Sequence, residues 1–170
     1  MRTNSKKNRS QEWTVCLGDT PIGPLHLSFT AQGLAALNFA DKSGEMQPGS
    51  PPPPELRPMI DAVQRQLRQY FAEGVADFTG LPLDLQGTPF QKKVWGELPR
   101  IPRGQTISYR ELAERVGSPR GFRAVGQANR RNPVPIIIPC HRVIAADGSL
   151  KGPSPGIARR AWLLRHEAAR

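Results

Sequence analysis

The stretch NPVPIIIPCHRV, residues 132–143, sets a valine and three isoleucines among three prolines and then places a cysteine beside a histidine. Its apolar part, Val134–Ile138, is broken by Pro135 and closed by Pro139, far short of the roughly 20 apolar residues that cross a bilayer. It therefore reads as the interior of a soluble protein. Side chains of adjacent residues normally diverge in a helix or strand, but Pro139 bends the chain just before Cys140. Asn132-Pro133 adds a side-chain amide able to hold such a turn by hydrogen bonds to the backbone. Two readings of Cys140 follow from these residues alone. It is a small buried hydrophobe, or it is a nucleophile whose pKa or proton is managed by the neighbouring His141.

With 170 residues, 38% of them hydrophobic, the chain can bury the core of one domain or of two small ones. The first eleven residues, MRTNSKKNRSQ, are basic and polar and lack the apolar stretch of a signal peptide, so a flexible tail and a cytoplasmic location are expected. Two cysteines, Cys16 and Cys140, argue against a disulfide framework or a four-cysteine zinc site. His26, His141 and His166 have no metal-box spacing. No metal and no cofactor is expected. Cys16 falls in a strand pattern and reads as a buried small residue without a chemical role.

The net charge of +10 is unevenly spread. Residues 1–85 carry 8 Lys and Arg against 9 Asp and Glu, a net −1, whereas residues 86–170 carry 16 against 5, a net +11. A basic surface confined to one half fits a polyanion partner, most often nucleic acid; a generally arginine-rich proteome is the plainer reading.

Strand patterns come first: WTVCL, LHLSF and GLAALNF, with Leu25, Leu27 and Phe29 on one face and His26 on the opposite, surface side. Residues 41–58 hold a proline run and read as a stiff surface loop. Met59, Ile60, Val63, Leu67, Tyr70 and Phe71 then recur at helical spacing as core residues, and Gly74 ends the helix. FTGLPLDLQG continues in extended form to a boundary near Gln86, so residues 12–85 form a small α/β domain without a chemical cluster.

Residues 86–170 read as mainly helical. Thr88 caps a helix that has Pro89 at its first position. Ser108 and Glu111 form a capping box for SYRELAERV, which Gly117 closes. Ser118 caps the next helix with Pro119 behind it. Two short helices joined by a tight Gly-Ser-Pro turn make a helix-turn-helix, with the second helix as the recognition element. In that helix Arg123, Arg130 and Arg131 flank AVGQA. Its small residues Ala124, Gly126 and Ala128 either let the backbone approach a DNA groove or simply admit a neighbouring helix. Glu167, one turn beyond Leu163 and Leu164, shares part of their buried face; an unpartnered buried carboxylate is costly, so His141 or a nearby arginine is its expected contact.

RAVGQANRRNPVPIIIPCHRVIAADGSLKG followed by RRAWLLRHE resembles the O6-alkylguanine-DNA alkyltransferases, the methylated-DNA–protein-cysteine methyltransferases. TPFQKKVW, IPRGQTISY and NPVPIIIPCHRVI are further family blocks, and the similarity runs from about Gly87 to Glu167. The N-terminal half, through TPIGPLHLSF and LRQYFAEG, is more loosely similar to the family's ribonuclease-H-like α/β domain. The resemblance implies an α/β (α+β) protein: a tail (1–11), the ribonuclease-H-like domain (12–85), and a winged helix-turn-helix-like domain that binds DNA and carries out transfer (86–170). It implies DNA repair by direct damage reversal: O6-alkylguanine, and O4-alkylthymine as a further substrate, is flipped out of double-stranded DNA, and its alkyl group passes irreversibly to Cys140 in one turnover. It further implies that His141 deprotonates Cys140 through a water, that Glu167 polarises His141 and that Asn132 supports the turn. Tyr109 would press on the 3′ phosphate, Arg123 would fill the gap left by the flipped base, and Ala124, Gly126 and Arg130 would lie along the minor groove. Backbone near Val143 and Ser154 would line the guanine pocket, with the chain acting as a monomer.

One departure stands out. The family usually reads Gly-Tyr-x-Gly-Gly where this chain reads GPSPG, so Pro153 replaces a tyrosine and Pro155 a glycine, while Arg160 stands where lysine is common. Loss of a hydroxyl, an aromatic wall and two N–H donors from a pocket loop implies slower transfer or a changed preference among alkyl groups. Three other classes compete. A lesion-binding alkyltransferase-like protein would lack the acceptor cysteine, a transcription factor would bind undamaged DNA by sequence, and a disabled repair protein would bind without acquiring an alkyl group.

Overall fold

The computed structural model describes residues 11–40, 50–150 and 154–168. Residues 1–10 of the expected tail and 41–49 of the expected 41–58 loop lie outside these residues, as does Pro153.

Three strands open the chain: β1 (Trp13–Leu17), β2 (Leu25–Phe29) and β3 (Leu34–Phe39), joined in an antiparallel sheet of that order. Period-2 alternation drives Leu25, Leu27 and Phe29 fully inward. The same alternation turns Cys16 outward, because Leu17 is the buried neighbour on this edge strand, so Cys16 is exposed and not the buried residue expected. His26, opposite Cys16 in the register, is half-buried and not on the open surface, and its Nε2 has neither solvent nor a hydrogen-bond partner.

A 3-10 turn at Pro54–Leu56 leads into α1 (Arg57–Glu73). The end of the proline-rich segment is thus helical, contrary to the loop expected, because Pro58 stands in the first turn, where a missing N–H costs nothing. Ile60, Val63, Leu67 and Tyr70 form the buried stripe of α1, and Gly74 ends it in the left-handed conformation at φ 69°. The segment after it runs beside β3, with Leu34 N–H donating to Pro82 O at 2.9 Å and Asp84 N–H to Leu34 O at 3.0 Å.

The basic half holds α2 (Pro89–Glu97), β4 (Ile107–Ser108), α3 (Tyr109–Arg115), α4 (Phe122–Arg130), β5 (Val143–Ile144) and α5 (Ser154–Ala168). Thr88 and Gln91 complete a reciprocal capping box on α2. At α3, Ser108 Oγ accepts from Glu111 N–H at 3.1 Å. α4 begins later than expected: Gly121, not Ser118, is its cap, because Ser118 O is taken by the Gly121 N–H at 2.7 Å in the turn itself. Trp95 on α2 donates from Nε1 to Ala128 O at 2.8 Å and fixes α4 against its support.

The two halves share one continuous core. Leu37 N–H donates to Pro133 O at 2.8 Å, so β3 holds the start of the proline-rich block. β4 and β5 pair in parallel, Ile107 with Val143 and Ser108 with Ile144, which ties the first residue of α3 to the chain just after Cys140.

Gly33 packs where a Cβ would meet Pro82 O at 2.5 Å and Pro82 C at 2.6 Å, both backbone atoms. Gly33→Ala is expected to destabilise the fold by about 1–3 kcal/mol, seen as a fall in Tm of roughly 2–4 °C per kcal/mol. Gly18→Ala, where the added Cβ meets nothing within 4 Å, should leave Tm nearly unchanged.

Candidate active site and DNA-binding face

The proline-rich block forms a buried irregular turn. Val134, Ile136, Ile137 and Ile138 are buried, and Ile136 takes a positive φ of 76°, a strained conformation for a β-branched residue. Asn132 holds it from both ends: its Nδ2 donates to Ile138 O at 2.7 Å, and its Oδ1 accepts from Val134 N–H at 3.0 Å. Pro139 caps a 3-10 turn, Cys140–Arg142, whose three residues per turn send neighbouring side chains about 120° apart. Cys140 is consequently half-buried, whereas His141 is 1% exposed. The turn is also gripped by Asn129 of α4, whose Nδ2 donates to Cys140 O at 3.3 Å.

Behind the turn lies Glu167, 1% exposed on α5. Its Oε1 is 2.7 Å from His141 Nε2 and accepts from Tyr70 Oη at 2.8 Å and from Arg142 Nη2 at 3.0 Å, while Oε2 accepts from Arg142 Nε at 2.8 Å. Arg142 is held in turn by Ile101 O at 2.7 Å. Burial alone raises the pKa of Glu167, but the bonds and charges of His141 and Arg142 outweigh it and hold the carboxyl well below the usual carboxylate range. For His141 the order reverses: burial, the largest effect, lowers its pKa against the pull of Glu167, so the imidazole is neutral. A neutral imidazole beside an ionised carboxylate carries its proton on Nε2 and donates it to Glu167. Nδ1 then bears the free lone pair, and it is buried with no hydrogen-bond partner.

Cys140 responds to the same enclosure. Burial raises its thiol pKa, opposed by a hydrogen bond from Asn132 and the charge of Arg160. Arg160 on α5 donates from Nη2 to Val143 O at 2.6 Å. The turn thus carries a neutral thiol and, on the following residue, a neutral imidazole whose Nδ1 has no hydrogen-bond partner.

The helix-turn-helix presents a separate face. Phe122, 43% exposed, Arg123, Ala124 and Arg130 project outward from α4, while Val125, Ala128 and Asn129 are buried. Gly126 is half-buried, and a Cβ there would sit 3.7 Å from the Tyr109 ring. That is ordinary van der Waals contact, so the packing of α3 against α4 does not itself require glycine at this position. Arg123, Ala124 and Arg130 thus share the exposed side of α4 along its length, and Gly126 faces the Tyr109 ring at the start of α3. Val143 is buried, with its N–H bonded to Cys140 O. Ser154 and Pro155 fall in the first turn of α5 and not in a loop, so Pro155 forfeits no helical hydrogen bond there.

Sequence reasoning pointed to Cys140, His141, Glu167 and Asn132 and to a nearby arginine on Glu167, which the structure identifies as Arg142. It missed two residues that hold them. Asn129 had only its position in α4. Tyr70 looked like one more core residue of an amphipathic stripe, and nothing in the spacing revealed that its hydroxyl reaches the other half of the chain. Among the described residues no three His, Cys, Asp or Glu side chains group in a way that could hold a metal, and no helix is long and apolar enough to cross a membrane.

An α/β protein with a helix-turn-helix and a half-buried cysteine, next in sequence to the histidine of a buried histidine–glutamate pair, thus stands on structural grounds. Two family models match it: the 6-O-methylguanine DNA methyltransferase ribonuclease-like domain over residues 14–85 and the DNA binding domain of the same enzyme over residues 89–169. A methylated-DNA–protein-cysteine methyltransferase of Methanosarcina barkeri is 43% identical over 150 residues, 88% of this chain and 93% of that one. One of Mycobacterium leprae is 46% identical over 149 residues, 88% of each chain. Among solved structures, the Mycobacterium tuberculosis O6-methylguanine methyltransferase matches with a TM-score of 0.79 at 40% identity, covering 94% of both chains. A structure of the M. tuberculosis OGT in complex with DNA matches at 0.74 and 40%, covering 93% of this chain and 92% of that one. The chain belongs to the 6-O-methylguanine DNA methyltransferase family. It is a DNA-repair alkyltransferase, and DNA is its partner.

Glu167 provides a test of these electrostatics. Its folded pKa lies below its unfolded value of about 4.3, so its contribution to stability is complete above that pH and is lost as pH falls below it. Glu167→Gln, which leaves Arg142 without its counter-charge, should cost about 3–5 kcal/mol at pH 7. In urea denaturation at a series of pH values, the variant should lose less stability than the native chain on acidification below about pH 4.

Proposed function

We propose that Cys140 is the alkyl acceptor and that each molecule acts once. The observation that carries this reading is the neutral His141 imidazole, held at Nε2 by Glu167, with its Nδ1 buried and without a hydrogen-bond partner, in the same 3-10 turn as the half-buried Cys140. The thiol proton passes to His141 Nδ1, directly or through a water, and Sγ attacks the alkyl carbon of O6-alkylguanine. The S–C bond forms as the C–O6 bond breaks, and guanine leaves with the proton returned to its edge. The thioether product offers no leaving group for a second cycle, so turnover stops. O4-alkylthymine, with its alkyl group on a similar exocyclic oxygen, is a further substrate of the same chemistry.

An alkyl group on a stacked base is out of reach of a buried thiol, so the base is flipped out at a cost of a few kcal/mol. Arg123, exposed at the start of α4 with its guanidinium 5.9 Å from the Phe122 ring centroid, fills the gap, and Tyr109 presses on the 3′ phosphate. Ala124, Gly126 and Arg130 lie along the minor groove, where base-specific reading is poor and lesion search does not need it. Backbone near Val143 and Ser154 borders the guanine pocket. The protein acts as a monomer in the cytoplasm on double-stranded DNA carrying alkylated bases. The domain division at 12–85 and 86–170 separates a scaffold from the DNA-binding, alkyl-accepting part.

Incubation with an O6-methylguanine duplex followed by trypsin should add one CH2 to the peptide Asn132–Arg142 and none to the peptide holding the exposed Cys16. Cys140→Ser should abolish the gain; persistence of repair in that variant overturns the reading. With Pro153→Tyr, transfer from methyl and bulkier O6-alkyl groups should change by different factors. Equal rates in both chains for every alkyl group would remove Pro153 from the pocket.

A further inference from the structure

The ribonuclease-like half looks chemically silent, yet it reaches the reaction centre at one atom. Tyr70, 2% exposed near the end of α1, crosses to α5 and donates its hydroxyl to Glu167 Oε1, the same oxygen that receives His141. Its place is held from both sides of the backbone. His166 Nε2 lies 2.7 Å from Tyr70 O, and Arg103 donates from Nη1 to Gly74 O at 2.5 Å, so two residues of the basic half clamp the end of α1. The His166 ring meets the Tyr70 ring edge-on at 5.5 Å.

We propose that Tyr70 is a positioning residue for alkyl transfer: its hydroxyl fixes the Glu167 carboxylate toward His141 and limits how much proton affinity the carboxylate lends to the imidazole. The inference rests on the relay from Cys140 through His141 to Glu167 set out above. Oε1 receives three donors, and each one disperses charge that would otherwise favour an imidazolium. The groups facing this carboxylate are His141 and Arg142 from the 3-10 turn and Tyr70 from α1. Arg103 acts on Tyr70, and Arg160 from α5 acts on His141. Tyr70 can serve only as a donor here, since burial, and after it the Glu167 charge, push its hydroxyl pKa above the ordinary value.

The direction of the effect follows. Without the Tyr70 hydroxyl, the carboxylate charge is less compensated and His141 becomes more basic. The free base needed to take the Cys140 proton then exists only at higher pH, so the rising limb of the pH–rate profile moves up. A more basic imidazole is no weaker as a base once deprotonated, so the alkaline plateau stays. A fold defect would instead lower the whole profile.

Tyr70→Phe keeps the ring and removes only the hydroxyl. Two profiles are measured on the full chain from about pH 5 to about pH 9: methyl transfer from an O6-methylguanine duplex, and labelling of Cys140 by iodoacetamide without DNA, read on the peptide Asn132–Arg142. The expected result is a limb displaced to higher pH in both, roughly threefold slower on its acid side, with the plateau retained. An unshifted limb, with or without a uniform loss of rate, overturns the proposal. If the native chain shows the Cys140 labelling limb but gains no methyl group from DNA, the repair reading fails while the labelling comparison still decides the role of Tyr70.

Discussion

A single buried carboxylate organises the reactive half of this protein. Taking Glu167 out of water costs several kcal/mol, and the fold compensates by aiming four hydrogen bonds from three side chains at its two oxygens. Those side chains come from different places. Tyr70 arrives from α1, while His141 and Arg142 come from the turn that also carries Cys140. Satisfying one charge therefore pins α1, α5 and the Cys140 turn to each other, and it fixes the proton of His141 on Nε2. What is left over is an unpartnered Nδ1, the base of the proposed transfer.

The DNA-binding face is bound to the same centre through backbone. The β4–β5 pair places Tyr109, at the start of α3, one step from the residues that follow Cys140. Asn129 grips the Cys140 carbonyl from the inner side of α4, whose outer side displays Arg123 and Arg130. Trp95 locks α4 from behind. On the proposed reading, a duplex engaged by α4 is held at a defined distance from the thiol by rigid elements, which is what positioning a reaction requires.

Much of this was legible from residues alone, for reasons that differ by element. The α1 stripe and the three strands announced themselves because burial on one face imposes a period. The phase of α5 put Glu167 inside, and the cost of burying a charge pointed to His141 or an arginine; both bind it. Cys140 beside His141 was ambiguous on spacing, because a 3-10 turn that separates adjacent side chains into a buried and a half-buried position has no periodic signature. Cys16 misled because a strand pattern tells which residues alternate but not whether the outer face of an edge strand is covered. The start of α4 was misplaced since Ser118 and Pro119 carry the marks of a helix cap but are consumed by the turn before it. Tyr70 was invisible because a long-range hydrogen bond from a core aromatic leaves no local trace.

The central claim is that His141 is a neutral imidazole with its proton on Nε2, leaving Nδ1 as the base. Nitrogen-15 NMR of the histidine side chains reads this directly. The account predicts that at pH 7 His141 shows one protonated nitrogen, Nε2, and one unprotonated nitrogen, Nδ1. An imidazolium at that pH, or a neutral ring protonated on Nδ1, would contradict it.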